Sequence, residues 1–520
     1  MFRIFFILFL LSFTIFANEN GDIKKVSKYF MQWHPEKANK LLNKLENSSE
    51  IYVIYLRARY NYLMGRYKEA KDLLEYFETN ASDSLKANLN RNLVIMNNAI
   101  KEVSKYEKFV SSDNKFIVYT PKGENEILGK TALKVLRKAY LTHSKDLEYK
   151  DDMIVRLEVL PSIEVLAKMS GLTLEEIQTS GTIALCDDNK VMITTPKALV
   201  KGYNWLDTIS HEFVHLIISK KTNNSTPIWI HEGIAKFQET RWRAKPGLII
   251  DKYSESILAT AHKQKHYITF QEMSPSLAKL PSQHDAALAY AQVSTLMDWT
   301  YHKWGYKRIN KLLIGLKKTH NDSRAVRYAY GLTLNQLLNR WKHYLDVKKY
   351  KIYKGLITKP LIFKTLENKE DKLAEIKVFK NSKFKMFLRL GNMLYEQNRI
   401  KSAKIEYLKA LKHKKYEYPY LENRLAEIYL MDKEYNKVIS LLNNTLKIFP
   451  EYVDSYMNLG KAYYNLKKYE KSEKMFKLAN MYNPFLVEIH EKLSEIYKKL
   501  KKDSLLKEEL WNLNKLSPNL

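Results

Sequence analysis

The sequence predicts an α+β fold that is mostly helical, in which a domain built from a small mixed sheet plus helices is flanked on both sides by helical repeats. Three observations predict it. The C-terminal part repeats itself every 34 residues, with Pro450, Pro484 and Pro518 in step. β-branched, strand-like runs gather in the middle of the chain. Helical periodicity fills most of the remainder. On these grounds the chain divides into 1–17, 18–110, 111–347, 348–383 and 384–520.

The first segment reads "MFRIFFILFLLSFTIFANENGD", with Arg3 before an apolar run from Ile4 to Phe16. This has the three-part form of a secretory signal peptide cleaved after Ala17. The run is short against the ~20 residues of a membrane span. Ile15 stands where a small residue is usual before cleavage, so an uncleaved, membrane-anchoring segment is the alternative. No lipobox cysteine is present. The expected location is the periplasm or beyond it.

Residues 22–110 are expected to be helical and repeat-like. "IYVIYLRARYNYLMGRYKEAKDLLEYFE" places Gly65, Tyr67 and Ala70 at a turn and second helix, and "WHPEKANKLLNKLE" looks like half of another unit. An ordinary helical hairpin is the plainer reading. Next come "NKFIVYT" (114–120) and "DMIVRLEVLP" (152–161), two strand-like runs around a helix over 124–146. "GTIALCDDNKVMITTP" reads as two short strands about the turn Asp187-Asp188-Asn189, which completes a small mixed sheet. Mainly helical segments follow to about 347. The charged stretch 348–380, with one helical patch, reads as a linker or docking segment.

The C-terminal repeat keeps Leu425, Leu459 and Leu493 in register, and Tyr429, Tyr463 and Tyr497, with Leu390 one residue out of step. Leu459, Gly460, Tyr463, Tyr469, Phe476, Ala479 and Pro484 fall where the tetratricopeptide repeat has its signature, so 384–520 resembles four such repeats. The resemblance implies stacked helical hairpins that bind protein partners.

Composition excludes some chemistry. The one cysteine, Cys186, rules out an intrachain disulfide and a cysteine-built zinc cage, and reads as a small buried hydrophobe. Lys+Arg is 87 against Asp+Glu 57, a formal net charge of +30. The lysines are spread over the whole chain without a nucleic-acid signature. The charge is therefore read as a solvated basic surface, with no nucleic-acid partner.

The chemistry sits in "HEFVHLIISKKTNNSTPIWIHEG", His211 to Gly233. Leu206, Ile209, Phe213, Leu216 and Ile217 form one face of a helix that Asn204 can cap, with Asp207 in a variant capping box. His211 and His215 lie one turn apart on another side and can reach one metal ion, with Glu212 beside them. Thr226 can cap a second helix that Pro227 starts at its first position. Glu232 lies in that helix, 17 residues after His215. Gly233 is expected to leave room for close packing against the first helix. Two helices antiparallel across a short loop would bring His, His and Glu together with one open position, the form of a catalytic rather than a structural site.

Pro227, Trp229, Glu232, Gly233 and Ala235, taken with HExxH, make the chain resemble gluzincin metallopeptidases, and most closely the peptidase MA-like domains often joined to tetratricopeptide repeats. "AYAQVSTLMDWTYHKWGYKRINKLLIGL" and "GLTLNQLLNRWKHYL" resemble that group's later and closing helices, and the likeness spans about 114–347. The resemblance implies a zincin-like catalytic domain, Zn2+ held by His211, His215 and Glu232, and Glu212 as general base. It implies Tyr290 in "AYAQ" as an oxyanion donor; a core tyrosine is the plainer reading, and His284, in an expected loop, is a rival donor. The strand around Thr182–Leu185 could pair with an extended substrate.

One departure stands out. Relatives often carry an acidic residue four positions after the ligand Glu, to orient a ligand histidine; here that position is Lys236. Glu239 could supply the missing carboxylate. His231 is expected to point about 100° away from Glu232, as a supporting or surface residue rather than a ligand. Three functions are thus open. The first is an exported zinc metallopeptidase whose repeats recruit a protein substrate or partner. The second is a repeat scaffold with an inactive peptidase-like domain. The third is a metal-dependent hydrolase of a non-peptide amide such as cell-wall material.

Overall fold

The computed structural model describes residues 21–45, 50–150, 153–187, 190–353, 356, 361–364, 382–414 and 418–517. The segment 1–17, Asp188-Asn189, Pro518 and the helical patch expected before 380 lie outside them. Among the described residues no helix is long and apolar enough to cross a membrane. The described residues fall into two compact units, one from within 1–195, 206–249 and 261–349, the other from within 196–205, 250–260 and 350–520.

The first unit begins with five helices: α1 (Gly21–Met31), α2 (Pro35–Leu42), α3 (Ile51–Leu63), α4 (Tyr67–Asn80) and α5 (Asp83–Val103). The helical stretch expected to reach 110 ends earlier, because Glu107–Val110 is strand β1. Its half-buried residues alternate with exposed ones, as a sheet edge allows. The sheet continues with β2 (Phe116–Thr120), β3 (Val155–Leu160), β4 (Ala184–Asp187) and β5 (Lys190–Thr194), in the order β1-β2-β3-β5-β4. β2, β3 and β5 are parallel, and β1 and β4 are antiparallel edges. Leu157 on the central strand pairs with Val118 on one side and Val191 on the other. A helix, α6 (Ile127–Asp146), makes the first crossover, as parallel neighbours require.

Every residue of β3 is buried, two charged ones included. Arg156 Nη1 donates to the carbonyls of Tyr62 and Leu63 at the end of α3, at 2.6 and 2.9 Å. Glu158 pairs with Arg156 and with Lys190 of β5 at 3.2 and 3.1 Å, and accepts from the Tyr67 hydroxyl of α4. The N-terminal helices are therefore joined to the sheet by a buried ionic cluster as well as by apolar packing.

After two short helices, α7 (Ile163–Ser170) and α8 (Leu174–Ser180), come α9 (Trp205–Thr222) and α10 (Ile228–Gln238). α11 (Lys252–Gln264) leads to the long α12 (Gln283–Thr319), broken at Gly305, then α13 (Asp322–Tyr330) and α14 (Leu334–Lys348). Thr333 starts α14 with a capping box closed by Gln336.

In the second unit, four hairpins follow one another: α15 (Ser382–Glu396) with α16 (Ile400–His413), α17 (Pro419–Met431) with α18 (Tyr435–Ile448), α19 (Val453–Asn465) with α20 (Tyr469–Tyr482), and α21 (Val487–Lys499) with α22 (Asp503–Leu516). These are the tetratricopeptide-type hairpins that the 34-residue period predicts. Gly460 has to be glycine, since a Cβ there would meet the Phe476 ring at 2.8 Å. Leu421, Leu425 and Ile428 of α17 are buried, as are the equivalent residues Ile489, Leu493 and Ile496 of α21. Polar groups share the stacking surface. Asn423 donates to Ser455 Oγ at 2.8 Å and accepts from the Asn458 amide at 3.0 Å. Part of the expected linker packs in this unit: Lys364 N donates to Ala198 O, Val200 N to Ile362 O, and Lys351 N to Glu255.

Candidate metal centre

α9 is buried along almost its whole length, which explains why apolar residues occur on more than one side of it. Near its start the Asp207 carboxylate accepts from Arg243 at 2.6 and 2.7 Å and from the Trp242 indole at 2.9 Å. Near its end Lys220 pairs with Glu36 at 3.2 Å, and Asn223 bonds His34 at 3.0 Å, so the N-terminal helices hold it there. The interior of the helix is thereby fixed at both ends before any chemistry is considered.

α10 begins one residue later than its sequence suggests. Pro227 is the residue before the helix, with ψ 152°, and Thr226 bonds the Thr222 hydroxyl at 2.9 Å instead of capping. Trp229 anchors the first turn: its indole donates to Asp322 at 3.1 Å and its ring stacks on Phe270 at 4.1 Å. Gly233 does not face α9. A Cβ there would meet the Val293 carbonyl at 2.9 Å and Met297 Cγ at 3.0 Å, so the glycine admits α12. Glu232, the residue before the glycine, is turned about 100° round α10 and reaches the histidines.

The result is a triangle of donor atoms. His211 Nε2 and His215 Nε2 are 3.1 Å apart, and Glu232 Oε2 lies 3.3 Å from each. Among the described residues these three side chains are the one group of His, Cys, Asp or Glu that could hold a metal ion. A tetrahedral zinc with bonds of about 2.0–2.1 Å separates its ligand atoms by roughly 3.3–3.4 Å. The donor set and the edges of the triangle fit that ion.

The surrounding groups are charged and dry. Burial raises the Glu212 carboxyl; His215 and His211 oppose that, as does the backbone N–H of Cys186 on β4, and the net shift is upward. Glu232 moves the other way: burial would raise it, but His215 and His211 beside it hold it well below the usual carboxylate range. Burial would lower His211, yet Glu232 and Glu239 push it up to about 10. Two adjacent carboxyls with opposed shifts mark a site where one is suited to hold charge and the other to exchange a proton.

Tyr290 of α12 is in the site. Its ring lies 6.1 Å from that of His211, and its hydroxyl is hydrogen-bonded to Glu232. Burial, followed by Glu232 and Glu212, raises the phenol well above its ordinary value, so it is a neutral donor. His284 stands in the first turn of α12, not in a loop. Glu239 Oε2 lies 3.6 Å from His211 Nδ1 and its other oxygen pairs with Lys236 at 2.7 Å. The carboxylate sought at Lys236 is thus present one turn further on. His231, which helical geometry alone turns away from Glu232, faces His215, and Ser219 faces His231. Ser219 is missed by the motif, although it continues the His211–His215 stripe at the next helical turn.

The Peptidase MA superfamily model matches residues 163–347, from α7 to α14, and the tetratricopeptide repeat model matches residues 453–485, the hairpin of α19 and α20. No curated protein matches the chain. A peptidase MA superfamily domain containing the His211, His215 and Glu232 triangle, followed by tetratricopeptide repeats, is what this chain carries.

Proposed function

We propose that the chain is an exported zinc-dependent peptidase in which His211, His215 and Glu232 hold the ion and Glu212 is the general base. The observation that carries this reading is the triangle of two imidazole nitrogens and one carboxylate oxygen with edges of 3.1 to 3.3 Å. A bound zinc would supply Lewis-acid polarisation of the scissile carbonyl and a water of lowered pKa.

The chain's own residues do the rest. Glu212, raised by burial, accepts the proton of the attacking water and hands it to the leaving amine. Tyr290 donates its hydroxyl to the oxygen on which negative charge develops, in exchange for its bond to Glu232. β4 is an edge strand of the sheet, the position at which an extended peptide can add as a further strand. The burial of Glu212 strengthens these interactions. The repeats recruit the protein substrate or a partner, and the N-terminal segment sends the chain out of the cytoplasm.

The test is metal content by elemental analysis of purified residues 18–520, beside His215→Ala. About one zinc per chain in the parent and almost none in the variant is the expected result. A parent that stays empty and refuses added zinc would refute the reading, leaving a repeat scaffold with an inactive peptidase-like domain.

A further inference from the structure

His231 plays no part in the proposed reaction, yet both of its ring nitrogens are engaged. Nδ1 faces Nδ1 of His215, with the rings 4.5 Å apart between centroids and 21° from parallel. Nε2 lies 3.0 Å from the hydroxyl of Ser219, which is 1% exposed and one turn beyond His215 on α9. Ser219, His231 and His215 therefore form a line, with the half-buried His231 between two buried side chains, that ends on one corner of the ligand triangle.

Proton counting orders this line. Two imidazole nitrogens that face each other can share only one proton. His215 Nε2 is the atom turned toward His211 and Glu232, and it can offer a lone pair only when the ring proton is on Nδ1. His231 then accepts at Nδ1, carries its own proton on Nε2 and donates it to Ser219 Oγ. We propose that His231, backed by Ser219, is a positioning residue that fixes His215 as the Nδ1–H tautomer and aims its Nε2 into the triangle.

This inference rests on the metal reading above and adds a residue to it. The two histidines of the triangle are braced differently, His211 by the Glu239 carboxylate and His215 by a neutral ring. The difference has a physical reason. Glu212 is buried, and Glu232 and Glu239 are largely so, which already places three carboxyls close together, and a fourth would add another ion to desolvate. An imidazole accepts the same hydrogen bond without that cost.

The test uses the whole chain with 15N-labelled histidine, comparing the parent with His231→Phe, His231→Asn and Ser219→Ala. Phe keeps a flat ring without an acceptor; Asn places an amide oxygen near the position of Nδ1. Zinc affinity is read by competition with a chromophoric chelator at fixed pH. The His215 tautomer is read from 15N shifts before zinc is added, its signals identified by their loss in His215→Ala. The expected result is zinc affinity about 10–100-fold weaker in His231→Phe, within about threefold of the parent in His231→Asn, and intermediate in Ser219→Ala. The parent should show His215 protonated on Nδ1, and His231→Phe a mixture of tautomers. Parent-like affinity in a folded His231→Phe, or an Nε2–H tautomer in the parent, would overturn the proposal. Should His231→Phe misfold, Ser219→Ala gives the same readings. A parent that binds no zinc sinks the metal reading alone, because the tautomer spectra still decide the role of His231.

Discussion

Replacing Glu158 by Gln removes the one anion from a cluster that holds two buried cations. Arg156, Glu158 and Lys190 are each 2% exposed or less, and the carboxylate lies 3.2 and 3.1 Å from the two cations. The amide fills the same space but leaves both charges uncompensated in a dry interior. Breaking such a cluster by removing one member costs about 3–5 kcal/mol. At ~2–4 °C per kcal/mol for a unit of this size, the apparent Tm should fall by roughly 10 °C. The pH dependence has a definite sign. Burial would raise Glu158, but Lys190 and Arg156 outweigh it and hold the folded carboxyl below its unfolded value. The unfolded chain therefore binds more protons in acid, and stability rises with pH through that range. The contribution is complete above the unfolded value of about 4.3 and is lost as pH falls through the lower folded value. Urea midpoints of parent and variant, measured at pH 7 and at pH 3.5, should differ more at the higher pH. A loss below about 1 kcal/mol at pH 7, or a deficit that grows in acid, would refute the account of the cluster.

Three other outcomes follow from the same structure. Gly233→Ala should lower stability by about 1–3 kcal/mol in thermal melts, because its Cβ would meet a backbone carbonyl of α12 at 2.9 Å; metal content should fall with it, since Glu232 is the neighbouring residue. Glu212→Gln should keep its metal by elemental analysis while losing about 10²–10⁴-fold in peptide hydrolysis, and equal loss of both would mean that Glu212 holds the site together instead of acting as a base. Asn423→Leu should orphan Ser455 and the Asn458 amide and cost about 1–3 kcal/mol, read as faster proteolysis between α17 and α19 at unchanged cleavage elsewhere.

The parts of this protein that depend on short-range pattern are readable from its residues. The 34-residue period gives the C-terminal hairpins because each repeat is packed by its own aromatic and small residues and its immediate neighbours. HExxH gives two convergent imidazoles because helical geometry fixes them relative to each other. What escaped depends on how elements cross. Gly233 suggests a close approach, read from its place in the chain as one to the first helix, and the approach is instead to α12. His231 is turned from Glu232 by its position on α10, yet the packing of α10 on α9 brings it against His215. Arg156 and Glu158 alternate with apolar residues as a solvent-facing strand would, while α3 and α4 cover them. Glu107–Val110 is too short and polar to be read as a strand without β2 beside it. A partial signal did exist for Ser219, in the His211–His215–Ser219 spacing of four along one stripe.

The amides between α17 and α19 bear on how the hairpins recognise one another. A purely apolar stacking face tells one neighbour from another by shape alone, and would accept a hairpin slipped by a turn or taken from the wrong place in the row. Asn423 also donates to Pro419 O in its own helix, but its carbonyl and the Asn458 amide find each other, and Ser455 finds Asn423, only in the correct pairing, so a slipped one buries these groups unsatisfied. The pair works as a password written into an otherwise anonymous surface: it adds little to the strength of the stack, and it states which hairpin comes next.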